Sequence, residues 1–156
     1  MASAKTKEFE IFVAVGADPT ADNQALDLTD YVDIADNEAL EIHEVDIVLD
    51  PTESFPTADT ELIFQLADSN IQDFVSHADR TSLYVSRQVY GFDPNQYTEQ
   101  TSFSSITPLI VSKTLWCRNE SSSGTYDMTL RLKGRIVKPS AKDYMALVLT
   151  QTGNVA

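Results

Sequence analysis

The feature that most constrains this chain is a hydrophobic period of two. In its longest run, Tyr126, Met128, Leu130, Leu132, Gly134 and Ile136 alternate with Asp127, Thr129, Arg131, Lys133, Arg135 and Val137. Such alternation puts one set of side chains on a core and the other on the opposite face of a strand. Phe9, Ile11, Val13 and Val15 alternate in the same way with Glu8, Glu10 and Ala14, and Gly16-Ala17-Asp18-Pro19 breaks the run. His43, Val45, Ile47 and Leu49 alternate with Ile42, Glu44, Asp46 and Val48 up to Asp50-Pro51, where proline ends the ladder.

Three more strands follow from the same rule. Leu62, Phe64 and Leu66 share one face, with Ile63 and Gln65 on the other. A strand near Ser82 to Tyr90 sets Leu83, Val85 and Val89 against Tyr84 and Tyr90. The stretch 109–118 is rich in β-branched residues and carries Trp116, so it predicts a single strand in which Cys117 packs with Leu115 and Leu109. The polar run Asn119-Glu120-Ser121-Ser122-Ser123-Gly124 predicts a hairpin joining that strand to the last one.

Helical signals are few. Asp68 or Ser69 can cap a segment in which Ile71, Phe74 and Val75 follow helical spacing. Ser140-Ala141-Lys142-Asp143 resembles a capping box, with Tyr144, Leu147 and Val148 on one face beyond it, although 147–150 also fits a final strand. Strands at turn-rich intervals, without a repeated β-helix-β rhythm, predict an all-β chain. Its fold class is an antiparallel β-sandwich of jelly-roll type with one or two short helices. Residues 1–156 make one domain, crossed by long connections at 52–60 and 91–107.

Chemical motifs are sparse. The two histidines, His43 and His77, neighbour no nucleophile signature, and the five glycines form no phosphate-binding loop. The expectation is therefore no enzyme and no cofactor. Asp27, Asp30, Asp33 and Asp36 recur every three residues and are the candidates for a calcium site, although they lack the spacing of an EF-hand. Tyr84, Tyr90, Phe92, Tyr97 and Phe103 invite a sugar-stacking reading, and Asn119-Glu120-Ser121 matches a glycosylation sequon.

Charge is divided along the chain. Up to Asp79 there are nineteen acidic residues against Lys5 and Lys7; from Arg80 onward there are nine basic against five acidic, a division of −17 and +4 within the net −13. An acidic total argues against general nucleic-acid binding. Arg131, Lys133 and Arg135 form a basic stripe, with Lys138 just beyond. The stripe is the candidate protein interface, facing the acidic surface of a neighbouring copy; the alternative is a plain solvent face. No apolar run is long enough to span a bilayer and the first residues are polar, so neither a signal peptide nor a transmembrane segment is expected.

The serial strands from Phe9 to Ile136, the long crossovers and the closing Leu132-Lys133-Gly134-Arg135-Ile136-Val137-Lys138 segment resemble the single jelly-roll capsid proteins of icosahedral viruses of bacteria or archaea. The resemblance implies self-assembly by lateral contacts into a capsid shell, as a major or minor capsid protein. It also implies partners that are copies of the chain and other capsid proteins, synthesis in a host cytoplasm and residence in the virion. Residues 1–7 and 152–156 are then candidate arms. Because only Lys5 and Lys7 supply a basic tail, the implied shell makes no direct genome contact, as over an internal membrane or in a decoration protein. The competing expectation is a carbohydrate- or ligand-binding β-sandwich, assisted by calcium.

Overall fold

The computed structural model of the chain describes residues 3–50, 52, 59–91, 97–103, 108–110 and 114–152. Its strands are β1 (Ser3–Ala4), β2 (Phe9–Ala17), β3 (Asp22–Asp27), β4 (Ala39–Leu49), β5 (Thr60–Ala67), β6 (Ser82–Tyr90), β7 (Tyr97–Phe103), β8 (Leu109–Ile110), β9 (Thr114–Ser121) and β10 (Tyr126–Lys138). A 3-10 turn covers Ile34–Asp36, and helix α1 spans Ala141–Thr152.

The strands make two antiparallel sheets. In the first, β10 pairs with β2 and, at its end, with β1 on one side; on the other side it pairs with β4, which pairs in turn with β8. The second is ordered β3-β9-β5-β6-β7. The chain enters the first sheet with β1 and β2, crosses to the second at β3 and returns at β4. It crosses to the second at β5, remains there through β7, and then crosses at each of β8, β9 and β10. This order is compatible with a jelly roll, in which long connections carry the chain between two sheets.

The inner faces meet in one core. Ile11, Val15, Val45, Ile47, Leu130 and Leu132 of the first sheet pack with Leu62, Phe64, Leu66, Leu115 and Cys117 of the second. The Cys117 thiol is fully buried and its pKa is pushed up by that burial, so it is a packing residue. Helix α1 lies on the opposite side of the first sheet. Tyr144, Leu147 and Val148 cover Ala39, Val137 and Leu109. Its start is capped by Ser140 as expected: the Asp143 amide donates to Ser140 Oγ at 3.2 Å, and in place of a capping box's return bond to the Ser140 amide the Ser140 hydroxyl donates to Asp143 Oδ2 at 2.7 Å.

Four expectations are corrected. The 109–118 strand is two strands in different sheets, β8 and β9, with 111–113 outside the described residues. The hairpin between β9 and β10 is a crossover between sheets, turning at Gly124 with φ of 75°. Alternation gives each strand its two faces but not its partner, so two neighbouring amphipathic strands read as a pair. The 68–75 helix is an irregular loop, because the sheet satisfies its backbone. The amide of Gln65 donates to the Val75 carbonyl at 2.8 Å and its oxygen accepts from the Val75 amide at 2.9 Å, while Asn23 donates to the Ile71 carbonyl at 2.6 Å.

The fourth correction concerns His43. Register between β10 and β4 shifts so that Lys133 opposes Glu44 while Gly134 opposes Ile42, leaving His43 as the extra residue of a bulge. Leu40 and Ile42 therefore join Val45 and Ile47 on the core side, and His43 faces outward. Gly134 sits where the bulge brings β4 closest: a Cβ there would lie 2.2 Å from the Glu41 carbonyl oxygen. Two strands, β3 and β7, had no sequence signal. The first buries only Leu26, and the second is almost wholly exposed at a sheet edge.

Gly134→Ala is expected to cost about 3 kcal/mol in chemical denaturation, since the added methyl meets backbone rather than a movable side chain. Gly16→Ala, with nothing within 4 Å of the new Cβ, should stay within about 1 kcal/mol of the parent. Ser140→Ala should cost about 1 kcal/mol through loss of the cap.

Candidate functional site

The outward residues of β10 lie between two acid-bearing strands. Arg131 reaches Glu10 at 3.2 Å on one side, and Glu44 at 3.0 Å and Asp46 at 3.6 Å on the other. Lys133 lies 3.3 Å from Glu8 and 3.8 Å from Glu44, and Arg135 lies 2.8 Å from Glu41. The stripe expected to meet a neighbouring copy thus has carboxylate partners inside its own chain. Each exposed pair contributes only about 0–1 kcal/mol. Together they leave little unmatched positive charge on this face.

The acidic segment after β3 is used locally as well. Asp27 accepts from the Thr29 amide at 2.8 Å, and Asp33 accepts from the Ala35 amide at 3.0 Å. Asp36 is clamped between Lys5 and Lys138, each at 2.7 Å; the Lys138 hydrogen bond, followed by that of Lys5, holds its pKa down at about 2. Buried Glu38 pairs with Lys5 and accepts from the Asp33 amide at 3.0 Å. Asp27, Asp30, Asp33 and Asp36 are not brought together: among the described residues no group of three or more His, Cys, Asp or Glu could hold a metal ion. The N-terminal segment from Ser3 is tied down too, with Ser3 and Ala4 paired to Lys138 and Val137. Met1, Ala2 and 153–156 of the expected arms lie outside the described residues.

The bulge creates a constellation that the sequence did not announce. His43 Nδ1 lies 2.6 Å from Glu8 and Nε2 lies 2.5 Å from Glu41. Ionised carboxylates only accept, so this arrangement favours the imidazolium, in which both ring nitrogens donate. Hydrogen bonds to Glu41 and then to Glu8 accordingly raise the His43 pKa. Glu8 is lowered chiefly by its bond to His43; at Glu41 burial opposes, but His43 and Arg135 prevail and hold it low. Glu41 and His43 lie two residues apart on β4, and Glu8 comes from the segment just before β2; the bulge turns His43 to the face they share.

The outer face of the second sheet carries a cavity of about 350 Å³. Ile63 and Val85 floor it, the 74–77 stretch walls it, and Arg87 and Gln100 stand at its rim. Phe74 is held from behind by the Arg118 guanidinium, 5.3 Å above its ring. Tyr84 and Tyr90, expected as stacking candidates, face the core instead and are 4% and 7% exposed. Phe92 and most of the 52–60 connection lie outside the described residues. The sequon residue Asn119 is buried within β9, not in a loop. No helix among the described residues is long and apolar enough to cross a membrane.

No protein-family model, curated protein or solved structure was found to match the chain.

Stability should depend on pH from both sides. A raised His43 pKa contributes stability that is full below the unfolded imidazole value of about 6.5 and is lost as pH rises through the folded value. The lowered carboxylates Asp36, Glu8, Glu38 and Glu41 contribute above the ordinary carboxylate range and fail as pH falls through their folded values. Thermal melts of His43→Gln should therefore fall furthest below the parent at pH values under about 6.5 and converge with it as pH rises through the raised folded value.

Proposed function

We propose that this chain is a structural protein that packs laterally with copies of itself and with other capsid proteins into a virus shell. It acts as a major or minor capsid protein and carries out no catalysis. The observation that carries this reading is the strand order, β2-β10-β4-β8 facing β3-β9-β5-β6-β7, which is compatible with the two sheets of a jelly-roll shell protein. Charge supports it. With Arg131, Lys133, Arg135 and Lys138 all matched by carboxylates of the same chain and a net charge of −13, little positive surface is left for a genome. The shell it builds holds its nucleic acid without direct contact, as a layer over an internal membrane does.

A second reading has one observation in its favour. The cavity over Ile63 and Val85 combines an apolar floor with Arg87 and Gln100 at its mouth, the make-up of a small-molecule site. That reading makes the chain a ligand-binding sandwich.

Negative-stain electron microscopy of the purified protein, over a range of salt and concentration, separates the two. Rings, sheets or shells are the expected result. A monomer under every condition, together with saturable glycan binding, would sink the assembly reading.

A further inference from the structure

We propose that β7 is a docking edge whose occupant is β7 of a second copy, paired antiparallel about a two-fold axis at Gln100. The two five-stranded sheets then join into one. This names a contact surface for the assembly proposed above and rests on that reading for the identity of the partner.

The argument starts from how the other edges are closed. In the first sheet β8 is two residues long. On the opposite side, Gln24 of β3 donates to the Ala14 carbonyl of β2 at 3.0 Å, bridging the edges of the two sheets. Among the described residues no such device protects β7. It pairs with β6 through seven residues without a register shift, and among the described residues no other strand pairs with it. It contains no proline and no lysine, and its one charge is Glu99. An edge of this length normally carries lysine, proline or a bulge to block a further strand. Residues 97–102 are exposed, and Tyr97 leaves 51% of its surface to solvent although its ring lies 5.0 Å from that of buried Tyr90.

The register is self-complementary. Centred on Gln100, all seven residues pair. Tyr97 lies opposite Phe103 of the second copy, and Glu99 lies opposite Thr101. Tyr97, Glu99, Thr101 and Phe103 share the side that faces Tyr90, Gln88, Ser86 and Tyr84 of β6. The aromatic row of the core therefore continues across the two-fold through Tyr97 and Phe103, covering the exposed ring. Shifting the centre to Glu99 would set two carboxylates face to face, which disfavours that alternative.

Position 101 tests this with two variants of opposite sign at one exposed site. Thr101→Glu places a carboxylate opposite Glu99 in both halves of the dimer, and Thr101→Lys places a cation there. By sedimentation equilibrium, the first should weaken self-association about tenfold and the second should strengthen it, with unchanged β circular dichroism in both. Equal responses, no response, or a parent that stays monomeric throughout would overturn the proposal. Particles in the microscope that are indifferent to both variants would remove β7 pairing while leaving the assembly reading in place. A dimer that follows the charge at 101 but never grows larger would do the reverse.

Discussion

Strand β10 lies between β2 and β4, and most of the first sheet depends on that placement. Backbone hydrogen bonds tie it to both neighbours, while Leu130, Leu132 and Ile136 enter the core from its inner side. From the outer side, Arg131 and Lys133 reach carboxylates on both flanks, and Arg135 pairs with Glu41. Without a basic strand between them, Glu8 and Glu10 would face Glu41, Glu44 and Asp46 across adjacent strands, and like charges in such positions repel. The division of charge along the chain is thus resolved by topology. The acidic first half and the basic last strand are far apart in sequence and adjacent in the sheet.

The bulge at His43 is the local price of fitting β4 against β10. One extra residue reverses the inside-outside alternation, which keeps Ile42 as well as Val45 in the core. It also draws the Glu41 backbone so close to β10 that only glycine fits at 134. The residue displaced outward is a histidine, and it lands between Glu8 and Glu41. A packing requirement in the sheet has therefore placed an imidazole with a raised pKa within an ionic network, which links the stability of this face to pH.

The second sheet solves its problems differently. Its outer face is covered by the 68–81 loop, held by the buried Gln65 amide, which pairs with Val75 much as a neighbouring strand would. The inner face of β6 is partly polar. Gln88 donates to the Ile47 carbonyl of the opposite sheet at 3.2 Å and accepts from the Tyr90 hydroxyl. That bond joins the two sheets through a side chain and leaves Tyr84 and Tyr90 to fill the core. The edge at β7 is the part of this sheet that the described residues leave open.

Period-two alternation was enough to place β2, β5, β6 and β10 and the residues on each of their faces, because a half-buried strand imposes that pattern locally. The Ser140 cap and the apolar face of Tyr144, Leu147 and Val148 were legible for the same reason: a helix start is a property of adjacent residues. Partner choice was not legible. Whether β9 pairs with β10 or crosses away from it is decided by which edges remain free after the rest of the chain has folded. The bulge at His43 leaves no trace in a sequence that alternates through it, and edge strand β7 has no buried face to mark it. The basic stripe could be found from Arg131, Lys133 and Arg135 alone, but its partners could not. The sequence by itself determined that the chain is a β-sandwich and which faces of β2, β5 and β10 are buried, since a half-buried strand shows its period locally. Only the tertiary structure decided that the acidic half neutralises β10 within the same chain, because long-range pairing brings charges together that the sequence keeps apart.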